Sequence, residues 1–213
     1  MKTEVLKALA ETRLVAIIRG MDPEVCVRLA KAYAAGGIRL VEVTFNQVGN
    51  LEDTVTAIKA IKEAFPEMHV GAGTVITVAQ LDLAIGAGAE FIVTPNCNPA
   101  IIRKAKDAGL VTMPGTITPT EMVVAHEAGA DYVKVFPVRV LGPAYIKDVL
   151  APLKHLKLIA VGGVSPENAA DYIKAGCVGV AASGSLVNKD WIAAGEYDKI
   201  TAVARQLIEN CKV

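Results

Sequence analysis

The chain has 213 residues, enough for one sizeable core and short enough for one domain spanning 1–213. Lys plus Arg number 22 and Asp plus Glu number 22, a net charge of zero. That balance excludes the basic footprint of a nucleic-acid binder and the acidic run of a disordered tail. Hydrophobic residues make up 53% but aromatics only 5%, so the core must be built from Ala, Val, Ile and Leu. This composition suits a buried parallel sheet wrapped by helices.

Met1 to Thr12 mixes charged and apolar residues at helical spacing and predicts a helix ahead of the main fold. It lacks the apolar core of a signal peptide, and no apolar run reaches membrane-span length, so a cytoplasmic protein with no membrane partner is expected. Eight short apolar strands follow. They are Leu14 to Arg19, Arg39 to Phe45, His69 to Val75, Phe91 to Pro95, Leu110 to Pro114, Tyr132 to Pro137, Leu158 to Gly162 and Val178 to Ser183. Between them an Ala-Gly pair recurs at Ala35-Gly36, Ala87-Gly88, Ala108-Gly109, Ala128-Gly129 and Ala175-Gly176. Glycine there predicts left-handed caps at helix ends. Asp22-Pro23, Asn98-Pro99, Thr118-Pro119 and Ser165-Pro166 read as helix starts with proline at the first position. Thr118 with Glu121 and Thr77 with Gln80 have capping-box spacing.

Eight strands alternating with helices predict an α/β fold, a (β/α)8 TIM barrel with an extra N-terminal helix. An open doubly wound sheet is the alternative. No Gly-x-Gly-x-x-Gly follows the first strand, which argues against a dinucleotide-binding sheet. Cys26, Cys97, Cys177 and Cys211 form no CxxC pair and read as core residues in a reducing compartment. His69, His126 and His155 lack metal-ligand spacing, so no metal site is expected.

Strand alternation sorts the charged residues. Val41, Val43 and Phe45 share one face of the second strand, which leaves Glu42 facing the barrel interior. Val133 and Val135 face the helices, so Lys134 points inward with Tyr132 and Phe136. Arg19 shares a face with Ile17. Arg19, Glu42 and Lys134 are therefore expected to converge near the C-terminal strand ends, where such barrels do chemistry. A buried ammonium is costly and tends to shed its proton. At the usual pKa of about 10.4, fewer than about one lysine in a thousand is neutral at pH 7; lowered to about 7, half are nucleophilic. The bland reading is a buried ion pair with no catalytic use. A phosphate site is indicated by two glycine loops, Val161-Gly162-Gly163 after the seventh strand and Ser183-Gly184-Ser185 after the eighth.

These residues resemble a known family, the class I 2-keto-3-deoxy-6-phosphogluconate (KDPG) aldolases, with relatives acting on the phosphogalactonate epimer and on 4-hydroxy-2-oxoglutarate. The resemblance rests on Val-Glu-Val-Thr (41–44), Gly-Ala-Gly-Thr-Val (71–75), Pro-Gly-Thr-Ile-Thr-Pro-Thr-Glu (114–121), Val-Lys-Val-Phe-Pro (133–137) and Val-Gly-Gly-Val (161–164). It implies a Schiff base at Lys134 and proton transfer by Glu42. It also implies a pyruvate end lined by Thr74, Pro95 and Phe136, and a phosphate held at Gly162, Gly163 and Gly184. No cofactor or metal is implied. The partners implied are a phosphorylated keto-acid substrate, pyruvate, and two further copies of the chain in a homotrimer. Many gluconate-type members carry Leu-Arg-Thr where this chain has Phe45-Asn46-Gln47, which leaves Arg19 to bind either the substrate carboxylate or the phosphate. Val161 replaces a threonine before the Gly-Gly pair and, with Thr94-Pro95-Asn96, resembles the phosphogalactonate branch. A 4-hydroxy-2-oxoglutarate aldolase, or a sugar-phosphate isomerase or epimerase using Glu42 as base, are the alternative functions.

Overall fold

The computed structural model describes residues 2–213. Met1, with which the predicted first helix begins, lies outside the described residues. The chain forms helix α1 (Lys2–Thr12) and then strands and helices in alternation. The strands are β1 (Leu14–Ile18), β2 (Leu40–Thr44), β3 (His69–Gly73), β4 (Phe91–Val93), β5 (Val111–Met113), β6 (Gly115–Thr116), β7 (Val133–Val135), β8 (Leu158–Val161) and β9 (Gly179–Ala182). All pairings are parallel, in the order β5-β4-β3-β2-β1-β9-β8-β7-β6.

The two ends of that order, β5 and β6, are halves of one strand divided at Pro114, whose nitrogen has no hydrogen to donate. Across the division, the N–H groups of Tyr132, Lys134 and Phe136 donate to the carbonyls of Thr112 (3.2 Å), Pro114 (2.9 Å) and Thr116 (3.0 Å). The sheet thus closes into the eight-membered barrel that the strand count predicts.

Two apolar clusters follow from strand alternation. Val41, Val43, Val133, Val135, Leu158 and Ala160 join the layer between strands and helices. Ile17, Leu40, Phe91, Val93, Val111, Met113, Ile159 and Ala181 fill the barrel interior. Helix α1 joins the interior cluster through Val5, Ala8 and Leu9, all buried. It plugs the N-terminal end, and each large apolar side chain so buried contributes about 1.5–3 kcal/mol. Of the positions on the inward-facing side of β3, 71 and 73 are both glycine. A Cβ on Gly71 would stand 2.3 Å from the Phe91 ring, and one on Gly73 would stand 1.7 Å from Oε1 of Glu42. These two bare positions make room for the Phe91 ring and for the interior carboxylate.

The predicted capping boxes form, with Thr77 and Thr118 each accepting from the backbone three residues on. Asn98 caps α5 (Pro99–Asp107), whereas Asp22 precedes α2 (Pro23–Ala35) without a side-chain cap bond. Ser165-Pro166 does not start a helix: the Ser165 hydroxyl donates to Glu167, the chain makes a turn, and α8 begins only at Ala169 (Ala169–Lys174). Gly88, Gly109, Gly129 and Gly176 have the expected positive φ. After α2 the left-handed residue is Gly37 (φ 91°) rather than Gly36, which packs beneath Ala204 of α10 (Tyr197–Asn210).

Candidate active site

Lys134 is the central residue of β7, its backbone tied to the β5–β6 strand. Its N–H donates to the Pro114 carbonyl (2.9 Å), and its carbonyl accepts from the Thr116 hydroxyl (3.0 Å). Alternation turns its side chain inward, where it is 5% exposed. Nζ lies 4.6 Å from the centroid of the Phe136 ring. Glu42, central in β2, is 1% exposed, and its Oε2 has no hydrogen-bond partner among the described residues. A buried carboxylate oxygen left without a donor is costly and points to a role that a resting structure does not satisfy.

Burial acts on both groups in the direction of neutrality. It pushes the Glu42 carboxyl above the usual carboxylate range, opposed by the charges of Lys134 and Arg19. It holds the Lys134 amine below the ordinary lysine value, opposed by Glu42 and reinforced by Arg19. Desolvation is the larger influence in each case, so the site favours a neutral amine beside a carboxyl that holds its proton more readily than usual. These are the states that a nucleophile and a proton donor need.

Above Lys134 opens a cleft of about 620 Å³ at the C-terminal ends of the strands. The structure brings together there Arg19, Thr74, Pro95, Phe136, Val161, Gly162, Gly163, Ser183 and Gly184, every binding residue picked out in the sequence. Glu42 is not among the residues lining the open cleft; it lies deeper, over Gly73. Gly184 is exposed, and a Cβ there would meet nothing within 4 Å, so its backbone faces open space. Gly162 and Gly163 have φ of 97° and 86°, a conformation that side chains disfavour.

Thr74 has φ 56°, unusual for a β-branched residue and a form of strain found where surrounding structure enforces it. Here Gln47 Nε2 donates to the Thr74 carbonyl (3.0 Å), and Gln80 Nε2 holds Gln47 in turn (2.9 Å). Gln80 is itself anchored by accepting from the Ile76 and Thr77 N–H groups. Gln47, noted in the sequence only as a departure from the gluconate type, thus props the backbone of a cleft residue.

Arg139 is the charged cleft residue that sequence reasoning missed; Val164, Ser165 and Ala181 also line the cleft. Arg139 lies in a 3-10 turn (Val138–Val140) just past the Val-Lys-Val-Phe-Pro stretch, beyond the reach of strand alternation. The available signal was a lone arginine within five residues of Lys134 in an apolar stretch.

A barrel with an inward lysine, a deeper carboxyl and glycine loops at its mouth defines a Schiff-base lyase architecture. Comparison with known proteins agrees. The family model described as KDPG and KHG aldolase matches residues 5–203. A probable 2-dehydro-3-deoxy-6-phosphogalactonate aldolase of Rhizobium meliloti (strain 1021) is 39% identical over 87% of this chain and 86% of its own length. The 2-dehydro-3-deoxy-phosphogluconate aldolase of Treponema pallidum (strain Nichols) is 34% identical over 96% of each chain. A solved structure described as native KDPGal superposes with a TM-score of 0.83 at 35% identity, covering 92% of this chain and 93% of the other. The chain belongs to the KDPG and KHG aldolase family.

Proposed function

We propose that the protein is a class I aldolase that cleaves a 2-keto-3-deoxy-6-phospho sugar acid to pyruvate and glyceraldehyde 3-phosphate. The observation that carries this reading is the inward Lys134, buried, held toward neutrality, and opening onto the cleft. Its amine attacks the C2 carbonyl. Glu42, whose carboxyl holds its proton unusually well, protonates the departing hydroxyl as the adduct loses water to the iminium. Left ionised, the same carboxylate accepts the C4 hydroxyl proton, through water where direct reach fails. The C3–C4 bond then breaks, its electron pair passes into the iminium, and the aldehyde leaves. Protonation of the enamine at C3 and hydrolysis release pyruvate and restore the amine. Covalent catalysis divides one difficult carbanion step into easier ones.

Arg19 takes the substrate carboxylate in this reading, because its charge reaches both Lys134 and Glu42 at the reacting end. Thr74, Pro95 and Phe136 line the pyruvate end, while Gly162, Gly163, Ser183 and Gly184 receive the phosphate. The phosphogalactonate epimer is the favoured substrate: Val161 and Thr94-Pro95-Asn96 support it, as does the higher identity of the Rhizobium relative. The proposed assembly is a homotrimer; the exposed Ile76, Val78 and Ile117 are apolar surface that such packing would cover. A cytoplasmic setting accords with four free cysteines.

Lactate dehydrogenase coupling, with the two phosphorylated epimers supplied separately, tests the activity and the epimer together. Pyruvate release with a higher kcat/KM for the galactonate form is expected. Release from neither epimer would defeat the proposal, and preference for the gluconate form would reverse the choice of substrate.

A further inference from the structure

We propose that Arg139 is a specificity-determining residue that clamps a phosphate dianion at the end of the cleft remote from Lys134. The inference deepens the aldolase reading and rests on it. Arg139 is exposed and lines the cleft, and its guanidinium pairs with no carboxylate among the described residues. An unpaired surface arginine is ordinarily a solvated side chain, but this one is anchored. Its backbone N–H donates to the Gly162 carbonyl at 3.1 Å, tying the turn after β7 to the loop after β8. Its stem crosses directly over Gly163: a Cβ there would stand 2.7 Å from Cβ and 3.0 Å from Cδ of Arg139. The guanidinium is therefore carried on a stem that packs over the glycine backbone. A planar fork beside bare backbone at a cleft mouth is the chemistry that takes an anion in two-point contact.

The two arginines of the cleft divide the anions between them. Arg19 directly follows β1, whose neighbour β2 carries Glu42, and its charge acts on both Glu42 and Lys134, whereas Arg139 follows β7 and stands against Gly162 and Gly163. Arg19 thus sits by the reacting atoms and Arg139 farther along. A 2-oxo acid phosphorylated at its other end carries a carboxylate beside C2 and a phosphate remote from it. Each anion meets one guanidinium, and an unphosphorylated substrate leaves Arg139 without a partner.

The test compares the wild-type chain with Arg139→Ala, Arg139→Met and Arg139→Lys. Methionine keeps the stem over Gly163, so a folding defect is separated from loss of charge. Three quantities are read: kcat/KM for the phosphorylated sugar acid and for its unphosphorylated counterpart, inorganic phosphate binding by calorimetry, and borohydride trapping of pyruvate. Alanine and methionine should lower the preference for the phosphorylated substrate about 10- to 100-fold, the loss of one charge-assisted contact, through KM rather than kcat. Phosphate binding should weaken in parallel, and lysine should recover part of both. Unchanged preference and unchanged phosphate binding in the methionine variant would overturn the proposal while pyruvate trapping stood. Failure of wild-type trapping would instead defeat the aldolase reading, and phosphate binding would still judge Arg139.

Discussion

The Glu42 carboxylate occupies the space that a side chain at position 73 would need. A Cβ on Gly73 would stand 1.7 Å from Oε1, closer than any non-bonded contact allows. Gly73 in the Gly-Ala-Gly-Thr-Val stretch thus shapes the site, although it does not line the cleft. Gly73→Ala should displace the carboxylate, lower kcat, and destabilise the fold by about 1–3 kcal/mol, the usual cost of overpacking. Denaturant unfolding and steady-state kinetics on one preparation check both effects. Stability and turnover matching wild type would show that Glu42 has another place to go.

Glu42→Gln keeps the shape of the side chain and removes its capacity to exchange a proton. A loss of about 10²- to 10⁴-fold in kcat is expected, the range of a missing general acid–base, with KM changed far less. Because the amine is untouched, pyruvate should still be trapped on Lys134, but more slowly. A loss confined to KM would make Glu42 a binding group instead.

Arg19 supplies a test of sign. Its positive charge lowers the Lys134 pKa, adding to the larger lowering by burial. The neutral amine is the reactive form, so trapping accelerates as pH rises through that pKa. Arg19→Met removes a cation and should raise the Lys134 pKa, moving the rising limb of the profile to higher pH. A limb that stays in place or moves to lower pH contradicts the assignment. The same variant should weaken pyruvate binding, since Arg19 is assigned to the carboxylate.

The strand count, the interior placement of Glu42 and Lys134, and the glycine loops at the mouth were legible because period-two alternation is local and strict. Val41-Val43-Phe45 and Val133-Val135 leave one direction open to the residues between them. The division of the fifth strand at Pro114 was not legible, since it depends on which neighbours each half pairs with. Nor was the room above β3: Gly71 and Gly73 read only as strand and motif residues until Phe91 and Glu42 are seen above them. The delayed start of α8 was missed because Ser165-Pro166 has the local form of a cap, while its hydroxyl is committed to Glu167. Arg139 and Gln47 lie beyond strand ends, where no periodicity says which way a side chain points.

Gln47 carries a prediction of its own. With Gln80 it holds the carbonyl of Thr74, whose left-handed backbone costs on the order of 1–3 kcal/mol to maintain. Gln47→Ala should let that backbone relax and lower kcat, with borohydride trapping still located at Lys134. Gln47→Glu cannot donate to the carbonyl and should behave like alanine. If glutamate preserves full turnover, the strut is dispensable.

The most direct measurement is reduction by borohydride in the presence of saturating pyruvate, followed by peptide mass analysis. A pyruvate-derived adduct on the peptide containing Lys134, absent from Lys134→Met, is the predicted result. An adduct on a different lysine, or none on a folded wild-type chain, would contradict the account.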